Sequence, residues 1–124
     1  MHSFSARITL ALAATLASIA APAHATGGYL CKTADGSDIA ISAGFGHVPG
    51  APLVGTQLRV KDKSLPVRAP QWWLDREELR LLLTDTQAME TLATLRARWN
   101  EQSHTYDGSV EMRGKQRWVR CYEN

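Results

Sequence analysis

Tyr29-Leu30-Cys31-Lys32-Thr33-Ala34-Asp35-Gly36-Ser37-Asp38-Ile39-Ala40-Ile41-Ser42-Ala43 reads as two strands around a tight turn. Tyr29 to Lys32 forms the first strand. Ala34-Asp35-Gly36-Ser37 is turn chemistry, because Asp and Gly accept the positive φ that tight hairpins require. From Asp38 the chain alternates, with Ile39 and Ile41 on one side and Asp38, Ala40 and Ser42 on the other. Period two with β-branched residues marks a half-buried strand. An opening hairpin of this kind sets a β domain as the expectation for the rest of the chain.

The downstream sequence repeats the pattern. Gly44 to Pro52 holds three glycines and two prolines, which exclude regular structure and mark a loop. Val54 to Val60 resumes a strand. Asp62-Lys63-Ser64 reads as a turn, and Leu65 to Arg68 as a short edge strand, since Pro66 cannot donate to a ladder. Glu78 to Thr84 alternates Leu79, Leu81 and Leu83 against Arg80 and Leu82. Arg113-Gly114 reads as a hairpin turn, and Trp118 to Tyr122 as the last strand, with Trp118, Arg120 and Tyr122 on one side of it. Between these lies one ambiguous segment. Thr84 and Gln87 have capping-box spacing, and Ala88, Leu92, Leu95 and Trp99 make a helical stripe. The expectation is therefore a helix over about 86–95, with a strand over about 92–99 as its rival. The predicted fold is mainly β: a small antiparallel barrel or sandwich with at most one short helix.

The first 25 residues read as an export signal. Arg7 is followed by an apolar run from Ile8 to Ala21 and by Ala23-His24-Ala25, with small residues where a signal peptidase reads. The run is short for a membrane span. The mature chain is expected to begin near Thr26, as one domain over 26–124, periplasmic or secreted, with no membrane anchor. Its 99 residues suffice for a single core. Two cysteines remain, Cys31 and Cys121. In an exported chain an even pair is most simply one disulfide, here joining the first strand to the last.

Charge and motifs narrow the function classes. The whole chain carries +2 and loses Arg7 with the signal, a balance that argues against nucleic acid as a partner. His47 and His104 are the only histidines beyond residue 25, too few for a recognisable metal set, so neither metal nor cofactor is expected. No serine sits in a nucleophile elbow. Asp75, Glu77 and Glu78 lie beside two tryptophans, a combination that serves sugar hydrolysis when two carboxylates flank the bond. The more promising binding residues are Phe45 and His47 on the glycine-rich loop, where an apolar group held off the core can enter a partner's pocket. The alternative is that Phe45 folds back and plugs the end of the barrel. Trp72 and Trp73 come next: on a strand only one of them can face a given core.

The export signal, the Tyr29-Leu30-Cys31 opening and the Trp118-Val119-Arg120-Cys121 close resemble the small periplasmic lysozyme inhibitors of Gram-negative bacteria. The resemblance implies an exported antiparallel β domain, in some members closed by one disulfide between strands near the two ends. Inhibitors of C-type lysozyme use a serine- and glycine-rich loop with a nearby tyrosine. Ser42-Ala43-Gly44-Phe45-Gly46 lacks that tyrosine, and Tyr106-Asp107-Gly108-Ser109 does not match the second motif, so no residue roles carry over. The leading expectation is a non-enzymatic binding or interaction protein acting on a periplasmic or cell-envelope protein, an inhibitor of a cell-wall hydrolase being one form of it. The alternatives are a small carbohydrate-active hydrolase using Asp75, Glu77 or Glu78, and a structural envelope protein.

Overall fold

Alternating sequence makes nine strands of the described chain. They are β1 (Gly27–Thr33), β2 (Ile39–Phe45), β3 (Leu53–Val60), β4 (Lys63–Leu65), β5 (Arg68–Leu74), β6 (Glu78–Thr84), β7 (Thr91–Asn100), β8 (Thr105–Met112) and β9 (Lys115–Glu123). This is a computed structural model, and it describes residues 27–46 and 53–124. The segment over 1–25 expected to be an export signal, His47 and the rest of the loop through Pro52 lie outside the described residues.

All pairings are antiparallel, and the strand order is β4-β3-β2-β1-β9-β8-β7-β6-β5. Seven of the eight neighbouring pairs are joined directly in sequence, and the eighth, β1 with β9, brings the first strand to the last. The sheet curls into a half-barrel. Pairing directions make β4 and β5 run the same way, and only Pro66 and Val67 separate them. They follow one another in the same direction as the two edge strands, β4 pairing with β3 and, past Pro66, β5 with β6. Proline removes a ladder donor at this point, which suits an interrupted edge.

Side-chain parity follows from Cys31 and Cys121. They lie directly opposite each other in the β1–β9 register, point inward and form a buried disulfide. The same inward face carries Ile39 and Ile41, Leu58, the alternate leucines Leu79, Leu81 and Leu83, then Ala93, Leu95 and Ala97, Val110 and Val119. Phe45 completes this core at one end: it is 4% exposed, and its ring meets Trp72 edge-on at 5.5 Å, linking β2 to β5 across the open side of the sheet. Gly108 permits the closest strand approach. A Cβ there would stand 2.6 Å from Ala97 Cα and run into the Arg96 carbonyl oxygen.

One sequence expectation is corrected. There is no helix over 86–95, nor any helix among the described residues; 85–90 is a turn and β7 begins at Thr91. Asp85 diverts the helix start. Its Oδ1 accepts the Met89 and Glu90 amides at 2.7 and 3.3 Å, its carbonyl accepts the Ala88 amide, and its own amide closes the loop onto the Glu90 carbonyl. Ala88 has φ 59°, which ends any helical run. The alternation of Ala93, Leu95 and Ala97 against Arg96 and Arg98 then wins, as the rival strand reading has it. The turn after β3 falls on Lys61 and Asp62, both at positive φ, slightly earlier than expected.

Candidate functional site

The outward parity of β5 to β9 assembles what the inward parity excludes. Register places Trp73, Arg80, Arg96, Ser109 and Trp118 in one cross-strand row on the outer face. At about 4.8 Å per strand the row spans roughly 19 Å. Trp73 and Trp118, at its two ends, are 49% and 51% exposed. The Arg80 guanidinium lies 5.8 Å from the centre of the Trp73 ring, and that of Arg120 lies 5.2 Å from the Trp118 ring. Cations over indole faces are attracted by the ring quadrupole. Beside Trp73, a hollow of about 330 Å³ is lined by Arg80, Leu82, Thr94 and Arg96 among others.

Trp73 is held in place. Its indole Nε1 donates to Asp75 Oδ2 at 2.9 Å, while Asp75 Oδ1 accepts the amides of Glu77 and Glu78 at 2.8 Å each. The Tyr106 hydroxyl donates to the Asp75 carbonyl from β8. The Glu77 and Glu78 amides, with the Trp73 indole, hold the Asp75 carboxyl below its usual range. Burial pushes the Tyr106 hydroxyl up to about 12, so it stays protonated and donating. Glu78 meets Arg80 at 3.5 Å and Arg98 at 4.0 Å. The Asp75 carboxylate therefore organises a turn and an indole and the Glu78 carboxylate two arginines, while Glu77 takes part through its backbone.

The neighbouring outer row is also charged. Arg120 grips Asp107 side-on, Nε to Oδ1 and Nη2 to Oδ2, both at 2.8 Å; Asn100 and Thr105 supply further donors. These contacts, Arg120 first, lower Asp107 to about 2. Arg96, in the middle of the row, enters no ion pair among the described residues. The arginines of the two rows, Arg80, Arg96, Arg98 and Arg120, outnumber Glu78 and Asp107 within them, while Asp75 beside Trp73 and Glu111 opposite Thr94 in the adjoining outward row border the same face.

Of the residues expected to bind, Trp73 stands on this face. Trp72 points the other way in the β5–β6 register and leans on Phe45, which is in the core and not on an exposed loop. His47 lies outside the described residues. Sequence reasoning misses Trp118, Arg80 and Arg96 as members of a site. A signal for Trp118 is present, because it sits three residues before the inward Cys121 and so has outward parity. No group of three or more His, Cys, Asp or Glu side chains suited to a metal occurs among the described residues. No family model, curated protein or solved structure matches the chain.

Proposed function

We propose that the protein is an exported, non-enzymatic binding domain that docks on a cell-envelope protein through the Trp73–Trp118 face. The observation that carries this reading is the pair of half-exposed tryptophans, each with an arginine over its ring, at the two ends of one rigid row. Tryptophan and arginine dominate binding hot spots, and anchors already fixed in place lose little entropy on association. The buried disulfide and the apolar leader support export.

Arg96, in the middle of the row and in no ion pair among the described residues, calls for an acidic group on the partner surface. The active-site cleft of a cell-wall glycosidase, lined by carboxylates, has that chemistry. Asp75, Glu77 and Glu78 are better read as supports for this surface than as a catalytic set, since the Asp75 carboxylate is occupied by three donors.

Surface plasmon resonance against a panel of purified cell-wall glycosidases tests the proposal. At least one should bind, and Arg96→Glu and Trp118→Ala should each weaken it tenfold or more without shifting the urea midpoint. Binding to none, or binding indifferent to both substitutions, would overturn it.

A further inference from the structure

Three hairpin turns meet at one end of the curled sheet: β1–β2 over 34–38, β3–β4 over 61–62 and β8–β9 over 113–114. Between them opens a cavity of about 470 Å³ with an apolar floor. Lys61, Arg113, Lys115 and Arg117 line it, with Asp35 as the single acid, so its charge is net +3. It shares no residue with the Trp73–Trp118 face.

Arg117 is the unusual member. It occupies an inward position on β9, in parity with Val119 and Cys121, where an apolar residue is the norm. Asp35 Oδ2 accepts its Nη1 at 2.7 Å, and Asp35 is itself held by the Ser37 amide and hydroxyl at 3.0 and 2.6 Å. The Ser37 contacts first, and then Arg117, keep the Asp35 carboxyl well below its usual range. Yet the Arg117 Nε is buried and has no hydrogen-bond partner among the described residues. On Arg120 the Nε–Nη2 edge is filled by Asp107; on Arg117 the corresponding Nε is unmatched. A buried donor without an acceptor is costly, and the Nε–Nη2 edge of a guanidinium fits the two oxygens of an oxyanion; because the Arg117 Nε is out of contact with solvent, an anion engages it side-on by turning the guanidinium toward the cavity.

Two of the other cations also sit where the backbone resists them. Lys61 and Arg113 have φ 52° and 56°, at turn positions that glycine or asparagine fills most easily. The charge count then selects among anions. A carboxylate brings one negative charge, whereas a phosphate monoester brings close to two. We propose that this cavity binds the phosphate group of a phosphorylated ligand, with Arg117 as its side-on anchor and Lys61, Arg113 and Lys115 as flanking charges.

The test is a titration of the intact disulfide-bonded protein with inorganic phosphate, followed by the arginine Nε–H signals in ¹⁵N NMR. The Arg117 signal should shift saturably, while acetate at equal ionic strength leaves it in place. Lys61→Glu and Lys115→Glu, both at exposed positions, should each weaken phosphate binding at least tenfold with an unchanged unfolding midpoint. An unmoved Arg117 signal, an equal response to acetate, or variants that bind phosphate as wild type would each sink the proposal. Two further arms separate the sources: glycerol 3-phosphate competing with phosphate assigns a soluble ester, and co-sedimentation with phosphatidic acid vesicles but not phosphatidylcholine vesicles assigns a lipid headgroup.

Discussion

Among single residues, Asp107 shows how the outer face is held. It lies between Arg98 and Arg120 in register, and takes four hydrogen bonds from Arg120, Asn100 and Thr105. Its carboxyl falls from the usual 3.8 to about 2, with Arg120 the leading cause. A depressed acid stabilises the fold above its unfolded value and loses that contribution as pH drops through the folded one. Wild type should therefore lose about 1 kcal/mol more than Asp107→Asn between pH 4 and pH 2, a figure reduced for solvent screening. Urea unfolding at the two pH values measures it. Equal losses would show that the Arg120 pair contributes nothing to folding. Individual side chains are also where sequence reading stops short. Alternation says that Trp72 and Trp73 diverge, but not which one faces inward, because that depends on the β6 partner. Arg96 looks like any surface arginine until its neighbours in register are known.

Among the secondary-structure elements, the strands are legible in the sequence and one turn is not. β1, β2, β6 and β9 announce themselves by alternation, and Arg113-Gly114 has both residues at positive φ, as the expected hairpin turn requires. The segment after Thr84 carries two consistent periods, and local propensity favours the wrong one over its first half. Tertiary pairing decides it: β7 sits between β6 and β8, where a helix would leave both partners unpaired. The Asp85 side chain seals the choice by accepting amides four and five residues ahead. Asp85→Ala should destabilise the protein by about 1 kcal/mol, and amide exchange should quicken at Met89 and Glu90 before it does in β8. Unchanged exchange at those two amides would mean that the turn stands without Asp85.

Across the molecule, one long-range pairing closes what is otherwise a meander. The bond between Cys31 and Cys121 spans 90 residues, and chain-entropy reasoning assigns a loop of that length about 4–5 kcal/mol. The double variant Cys31→Ala/Cys121→Ala should lose about 4 kcal/mol in urea unfolding, and reduction of the wild type should match it. A loss under about 1 kcal/mol would mean that β1–β9 pairing alone holds the ends. The cysteine pairing is readable because the sequence holds just two cysteines, which leaves one possible pair. The place where the sheet opens, between β4 and β5, is not readable, since Pro66 marks an edge without saying that both edges lie beside it.

The juxtaposition of β1 and β9 carries one more implication. The Asn124 amide already donates to the Gly28 carbonyl at 3.0 Å, so with residues 1–26 removed a short tether can splice the end of β9 to the start of β1. Cutting the same chain at Pro66–Val67 would then yield a circular permutant that runs β5, β6, β7, β8, β9, β1, β2, β3, β4. Every strand in it would be a sequence neighbour of the strand it pairs with. The rearranged protein would reach the same sheet by hairpins alone, and by the link between contact order and speed it should refold faster than its parent.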